Sequence, residues 1–418
     1  LSKHEETDQS RNMAILRQLD IKGFKSIWQD SLDLGQLNVF IGTNGAGKSN
    51  LLEAIAMLSA SLEGGIDYER LQHRGARLSS SAIFRSAFKN KNRTSIFRLE
   101  AHFDNDLSYS MSVNAVDGFR YHSESVKVEG ATIAGRSNNG ATLNGNSLNS
   151  KLDNRKAIFP YLQALKTIQN DTNYSQEIEI LSALTKYAIY APATPLLRGT
   201  ETDSSAKEPL GLYGGRLADA LNEVLNDKEA RPQIQRFFEL INWVKSVGTT
   251  KQVNQELVSG HINLIGAKVV YSDKYMITNF NKLYGYDVSE GALYILFALV
   301  LLIHKNSPNI FALDNVDNAL NPGLIRALMS QISEILEKNP EKQLFLTTHN
   351  PAALDAVDLF NSKHRLFVVE RDEDGHTKFR RVSPPQDTTK EQWEERYFGM
   401  KLSEIWMSGA IGGMPAGF

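Results

Sequence analysis

The 418-residue sequence contains no cysteine. Disulfide staples and thiolate metal sites are therefore excluded, and the composition fits a reducing compartment. Neither charge is in surplus. Lys and Arg number 46 against 48 Asp and Glu, a formal net charge of −2. No global basic field draws the molecule to nucleic acid, so any such contact needs a local patch. The longest apolar run, Ala292 to Ile303, falls short of the roughly 20 residues of a membrane-spanning helix. Residues 1–13 are polar and mixed in charge, unlike a secretory leader. No a/d heptad persists and no internal repeat is apparent. With 41% hydrophobic residues and this length, the expectation is a cytoplasmic protein of two or three units, with no membrane contact. Leu1 to Arg11 reads as a tail, because Met13-Ala14 looks like a natural start.

What the sequence does contain is Gly42-Thr43-Asn44-Gly45-Ala46-Gly47-Lys48-Ser49. This spacing lets three glycines bend the backbone so that successive N–H groups face one concavity, where a phosphate fits. Lys48 is placed to reach β- and γ-phosphates, and the Ser49 hydroxyl to ligate Mg²⁺. Leu37 to Ile41 reads as a buried strand. Asn50 to Leu58 reads as a helix whose N-terminus faces the anion. Thr43, Asn44, Ala46 and Asn50 complete the expected ATP-binding segment.

Upstream, Leu16 to Ile27 alternates polar and apolar residues and turns at Gly23, as a strand entering a loop does, and Ser31 to Leu34 is a second short strand. The combination of "GFKSI" with "NVFIGTNGAGKSNLLEAI" resembles the start of the RecF/SMC/OLD-like branch of the ABC ATPases. Residues 70–98 carry Arg70, Arg74, Arg77, Arg85, Lys89, Lys91, Arg93 and Arg98 without one carboxylate. Two readings stand: a DNA-phosphate surface, or a solvated loop whose arginines pack on a nucleotide. Gln72 is a weak match to the family's Mg²⁺-sensing glutamine. Ile96 to Gly130 reads as an antiparallel meander, Gly130 to Ser150 as a flexible Gly/Asn/Ser loop, and residues 155–189 as helical up to Ala191-Pro192. Leu217 to Val247 reads as helical with a break at Arg231-Pro232, and strands return over Ile262 to Phe280.

The remaining motifs cluster late. Ser289 and Gly291 open the apolar helix from Ala292 and resemble the ABC signature, where a serine and a helix start bind the γ-phosphate held by an opposite subunit. Ser289 could equally be a simple N-cap. Asn309 to Asp314 is an apolar strand ending in an acid, which suits Asp314 to hold Mg²⁺. The family carries a catalytic glutamate next; here the residue is Asn315. An amide orients water but cannot accept its proton. Asp317 falls in a stretch resembling the family's D-loop, which crosses a dimer interface. His349, in "TTHNP", falls at the switch histidine, and a helix is expected from Pro351 to Leu359. Arg365 to Val369 and Thr377 to Val382 read as a hairpin.

The resemblance implies an α/β ABC-type ATPase head, a mixed sheet plus an antiparallel subdomain, with an inserted and mainly helical region. The expected division is a tail over 1–13, head lobes over 14–130 and 261–382, an insertion over 131–260, and an appendage over 383–418. That appendage either docks on the core or meets a partner. The resemblance also implies ATP and Mg²⁺ as ligands and assembly as a homodimer or larger homo-oligomer. ATPase turnover is expected to be slowed by Asn315. The function implied is control of a separate effector, such as a nuclease, as in the compact ATPases of Septu-type anti-phage defence. A RecF-like DNA-repair ATPase and a non-hydrolysing ATP-bound scaffold are the rivals.

Overall fold

The computed structural model describes residues 15–148, 152–205 and 207–412. The tail and the Met13-Ala14 start lie outside the described residues. The first strands are β1 (Leu16–Phe24), β2 (Ile27–Asp33), β3 (Leu37–Ile41), β4 (Ile96–Phe103), β5 (Leu107–Asn114) and β6 (Arg120–Val128). They are followed by β7 (Ala131–Ser137), β8 (Gly140–Leu143), β9 (Asn146–Leu148) and the short β10 (Ile189–Tyr190). Next come β11 (Val244–Thr250), β12 (Lys268–Asp273), β13 (Lys282–Tyr284), β14 (Ile310–Asp314), β15 (Gln343–Thr348), β16 (His364–Arg371) and β17 (Thr377–Val382).

These strands form three sheets. One is an antiparallel sheet in the order β2-β1-β4-β5-β6-β7-β8-β9, and a small sheet joins β11-β12-β13. The third has the order β10-β14-β15-β3-β16-β17. In it every neighbouring pair is parallel except β16–β17. Its central strands are apolar at nearly every position because both faces are covered. Leu37, Val39, Phe311, Leu313, Leu344 and Leu346 pack in one core with the helices Glu290–Ile303 and Pro322–Lys338. Phe40, Ile310, Ala312 and Phe345 pack in the other, with the helix Lys48–Glu63. That helix touches β1 and β4 on one side and β10 and β15 on the other. It is buried almost all round, which is why its sequence shows little amphipathic contrast. No helix among the described residues is long and apolar enough to cross a membrane.

Several expectations are corrected. The stretch from Gly130 is not a flexible loop as far as Leu148: it forms β7, β8 and β9. Its Gly and Asn residues are hairpin turns, with Gly130, Asn144 and Gly145 at φ of 78°, 50° and 77°. The helical segment after residue 155 stops at Leu184, and Ile189–Tyr190 is a strand paired with Ala312 and Leu313. Tyr190 stacks edge-on against Phe311 there, so a sheet edge and an aromatic contact outcompete helix continuation. Helix gives way to β11 from Val244, and the stretch after Pro351 is a 3-10 turn ending at Ala356. The carboxy-terminal helix Leu402–Met407 docks on its own core. Leu402, Ile405 and Trp406 are buried, and Asp355 accepts from the Ser403 amide (2.9 Å) and Arg326 Nε (2.6 Å).

The antiparallel sheet carries one fully buried charge. Glu124 accepts from Tyr109 Oη at 2.6 Å, Arg136 Nη2 at 2.9 Å and the Ile158 amide at 3.0 Å. Burial pushes its carboxyl up, and Arg136 opposes the shift. Removing one partner of a buried pair strands the other charge. Arg136→Ala should therefore destabilise the fold by about 3–5 kcal/mol, read from the midpoint of urea unfolding. A loss under about 1 kcal/mol would show the pair to be worth no more than a surface ion pair.

Candidate functional site

Parallel β3, β14 and β15 end at one edge of their sheet, the place where open α/β sheets present their binding loops. Three segments meet there: Gly42–Ser49 after β3, Asp314–Asp317 after β14, and Thr347–Asn350 after β15. Backbone sterics hold the first in shape. Gly47 sits at φ 110°, and a Cβ on it would lie 2.2 Å from Thr377 Oγ1 and 2.9 Å from Ser26 Oγ. A Cβ on Gly42 would lie 2.2 Å from the Val369 carbonyl. Thr377 Oγ1 donates to the Ala46 carbonyl at 2.6 Å, and Arg371 Nε to that of Gly45 at 3.0 Å. Thr43 is half-buried and Asn44 exposed at the tip of the loop. Asn50 faces sideways, donating to Ser26 Oγ at 2.6 Å and accepting from Arg77 Nη2 at 2.6 Å.

Lys48 is buried and donates to the carbonyls of Gly42 (2.7 Å) and Thr43 (3.0 Å). Burial pushes its ammonium down to about 8, opposed by Asp314 and Asp317. His349 Nδ1 lies 3.4 Å from Lys48 Nζ. Burial and then Lys48 lower the histidine's pKa, opposed by Asp317 and by a hydrogen bond to the Gly42 backbone. Ser49 Oγ donates to Asp314 Oδ2 at 3.5 Å, and Thr347 Oγ1 is hydrogen-bonded to Asp314 Oδ1. Lys48, Ser49, Asp314 and His349 are thus brought together as the motifs predict.

Asn315 and Asp317 follow Asp314. Asn315 is left-handed, φ 55° and ψ 33°, a conformation Asn tolerates better than most residues. Its amide donates to Thr347 Oγ1 at 3.3 Å, and its Oδ1 is buried without a partner. Asp317 is 3% exposed. Its side chain turns into its own chain. Oδ2 is hydrogen-bonded to Thr348 Oγ1 and accepts from the amides of His349 (3.3 Å) and Asn350 (3.1 Å). Oδ1 is buried and unpaired. Asp317 therefore positions the histidine loop of its own chain. Ser289 and Gly291 are not drawn into this cluster. Ser289 is exposed, caps its own helix by accepting from the Ala292 amide at 3.4 Å, and has no hydrogen bond to the phosphate loop.

With this geometry in place, residues 37–355 match the family described as "AAA domain, putative AbiEii toxin, Type IV TA system", well over half of the chain. The chain belongs to this AAA-domain family. Among solved structures it is similar to an Smc head bound to the C-winged helix domain of ScpA, with a TM-score of 0.54 and 14% identity over 89% of this chain and 98% of that one. It is also similar to the Smc head domain with an extended coiled coil bound to the C-terminal domain of ScpA from Pyrococcus furiosus. There the TM-score is 0.50 and the identity 13%, over 88% of this chain and 96% of that one. No curated protein matches the chain by sequence. At such identities the likeness shows the fold: an SMC/ABC-like P-loop ATPase head with its antiparallel subdomain.

In this AAA-domain chain the first three cations of the basic stretch are paired with carboxylates from outside it. Arg74 is 1% exposed and pairs with Glu63 at 2.9 Å, Arg70 is bonded to Asp67, and Arg85 is buried against the Thr94 carbonyl. Arg77 pairs with Glu53 at 2.7 Å and feels the charge of Asp314. Gln72 ends a short exposed helix, and Arg77 is the residue that reaches the phosphate-loop helix instead. Sequence reasoning counted the cations but missed Glu53, which also holds Lys25 of "GFKSI". The signal was present in the sequence, since Glu53 lies one helical turn beyond Ser49 in an otherwise apolar run.

Asp317 carries a direct consequence. Asp317→Ala leaves the His349 amide without its acceptor, at about 1–3 kcal/mol for an unsatisfied group, while the Asn350 amide keeps Thr348 Oγ1 at 3.0 Å and the Thr348 hydroxyl keeps the Asn350 carbonyl at 3.2 Å. Amide exchange at His349 should accelerate by roughly 5- to 150-fold, while the β14 and β15 amides remain protected. Unchanged exchange at His349 would remove the positioning role.

Proposed function

We propose that this chain binds Mg-ATP at Gly42–Ser49, pairs with a second copy through composite sites, turns ATP over slowly, and uses the ATP-bound state to control a separate effector. The observation that carries the reading is the split between ligands and base. The residues fit the nucleotide: a loop whose Gly42 and Gly47 leave no room for a Cβ against Val369 and Thr377, a buried lysine within it, and two buried oxygens without partners, Asn315 Oδ1 and Asp317 Oδ1, in the segment after β14. Lys48 and the loop amides would hold the β- and γ-phosphates, and Ser49 and Asp314 the Mg²⁺. His349, 3.4 Å from Lys48 Nζ, stands beside the phosphates that Lys48 would hold. Asn315 can orient a water but cannot take its proton. Losing a general base costs about 10²–10⁴-fold in rate.

Ser289, exposed at a helix N-terminus, supports pairing, because its anion-binding end is open to another molecule. The fold neighbours are heads bound to a domain of ScpA, which supports control of a partner protein. The family description, naming a toxin of a toxin–antitoxin system, supports a bacterial defence setting, with a nuclease as the effector class. A second reading, an ATP-bound scaffold that does not hydrolyse at all, is favoured by the left-handed backbone of Asn315, which suits Asn better than Glu.

Turnover tests the split. Asn315→Glu should raise the ATPase rate, by up to about 10²–10⁴-fold less the left-handed strain of about 1–2 kcal/mol, with ATP affinity unchanged. Wild-type turnover already typical of ABC ATPases, with no gain in the variant, would show that another residue supplies the base. Pairing is tested separately. Ser289→Arg should retain ATP binding in calorimetry yet lose ATP-dependent association in light scattering. A protein monomeric with and without ATP would eliminate the composite site.

A further inference from the structure

The outer face of the antiparallel sheet carries a second cluster, remote in role from the phosphate loop. Alternation turns Leu19 and Ile21 of β1 and Leu99 and Ala101 of β4 into the core. The same alternation turns Asp20, Glu100 and His102 to the opposite face. Asp20 and Glu100 are direct partners in the β1–β4 register. Two like charges opposite each other destabilise an antiparallel pair unless a cation stands between them. Lys22 and Arg98 face each other at the neighbouring same-face position, and neither is bonded to either carboxylate.

The donor atoms already converge. His102 Nε2 lies 2.8 Å from Asp20 Oδ2 and 3.8 Å from Glu100 Oε1. One ligand atom from each of the three lies within 4.8 Å of the others. A tetrahedral Zn²⁺ with ligand bonds of about 2.0–2.2 Å separates its ligand atoms by roughly 3.3–3.5 Å. The two separations from His102 bracket that edge, and the third, between Asp20 and Glu100, lies within 4.8 Å, so rotamer shifts of the two partly exposed carboxylates would seat the ion. Gln18, opposite His102 across the strands, donates to Asp20 Oδ1 at 3.0 Å and Oδ2 at 3.1 Å. It orients the carboxylate as outer-shell partners of metal ligands do.

We propose that Asp20, Glu100 and His102 form a divalent transition-metal site, with Zn²⁺ as the fitting ion, on the outer face of the sheet. One imidazole with two carboxylates suits zinc better than the all-oxygen preference of Mg²⁺ and Ca²⁺. The three side chains are 33%, 40% and 36% exposed, which leaves the fourth tetrahedral position open to water or to a ligand atom of another molecule. The ion ties β1 to β4 and cancels the charge conflict that the register creates. β1 runs directly into Ser26, which holds Asn50 at the phosphate loop, so the brace stands at the base of that support.

The test is a Zn²⁺ titration of the metal-stripped full chain by calorimetry, without nucleotide. Wild type, His102→Ala and Glu100→Gln are all compared in an Asp314→Asn background that removes the Mg²⁺ ligand. Wild-type ligands should give one site with a micromolar or tighter Kd, and both substitutions should weaken it at least tenfold. Co²⁺ in place of Zn²⁺ should give the visible absorption of a tetrahedral ion, lost in both variants. Zn²⁺ should raise the thermal midpoint only where the three ligands are intact. Metal-free midpoints confirm that the variants fold. Identical isotherms for wild type and His102→Ala, no saturable site in wild type, or loss with His102→Ala but not Glu100→Gln would each overturn the three-ligand site.

Discussion

The phosphate loop keeps its shape because a hairpin far along the chain is pressed against it. Thr377 donates to the Ala46 carbonyl across 331 positions of sequence, and its side chain occupies the space where any Cβ on Gly47 would go. Ser26 touches the same Thr377 at 2.6 Å and holds Asn50. The opening strand of the chain, the loop and the closing hairpin thus support one another. This mutual support ties segments from both ends of the described chain together beside the helix Lys48–Glu63. That helix has a sheet on each side and little surface of its own, so its position follows from two cores at once.

Three neighbouring residues divide the labour at the end of β14. Asp314 faces Ser49 and Thr347. Asn315 turns the backbone through a left-handed step. Asp317 turns inward and gathers the amides of His349 and Asn350. A carboxylate that accepts several hydrogen bonds is poorly placed to take a proton from water as well. The burial of Asp317 therefore favours positioning over base chemistry, and the consequence of an amide at 315 is not hidden by its neighbour.

The basic stretch shows how composition misleads when partners lie elsewhere. Eight cations without a carboxylate between residues 70 and 98 look like a free positive surface. In the fold, Glu53, Glu63 and Asp67 reach Arg77, Arg74 and Arg70. The stretch becomes part of the packing around the phosphate-loop helix, and its remaining exposed cations, Lys89, Lys91, Arg93 and Arg98, lie beyond that cluster.

The sequence alone determined whatever depends on neighbours in the chain. A strand, a glycine-rich turn and a helix start are local, so the phosphate loop was legible, as were the apolar strand ending in Asp314, the cap at Ser289 and the hairpin of β16 and β17. Order along the chain was enough to place the head fold. Tertiary structure decided what depends on distant partners. Only the fold shows that Asp317 faces inward, because its ligands come from β15. Likewise, Ile189–Tyr190 leaves the helix because β14 offers an open edge, and the Gly- and Asn-rich stretch after Gly130 becomes β7, β8 and β9 because β6 is there to pair with. The Leu402–Met407 helix lies on its own core for the same reason: an apolar surface exists for Trp406 and Ile405 to cover. Local rules state what a segment can form, and long-range pairing and burial select which of those forms it takes.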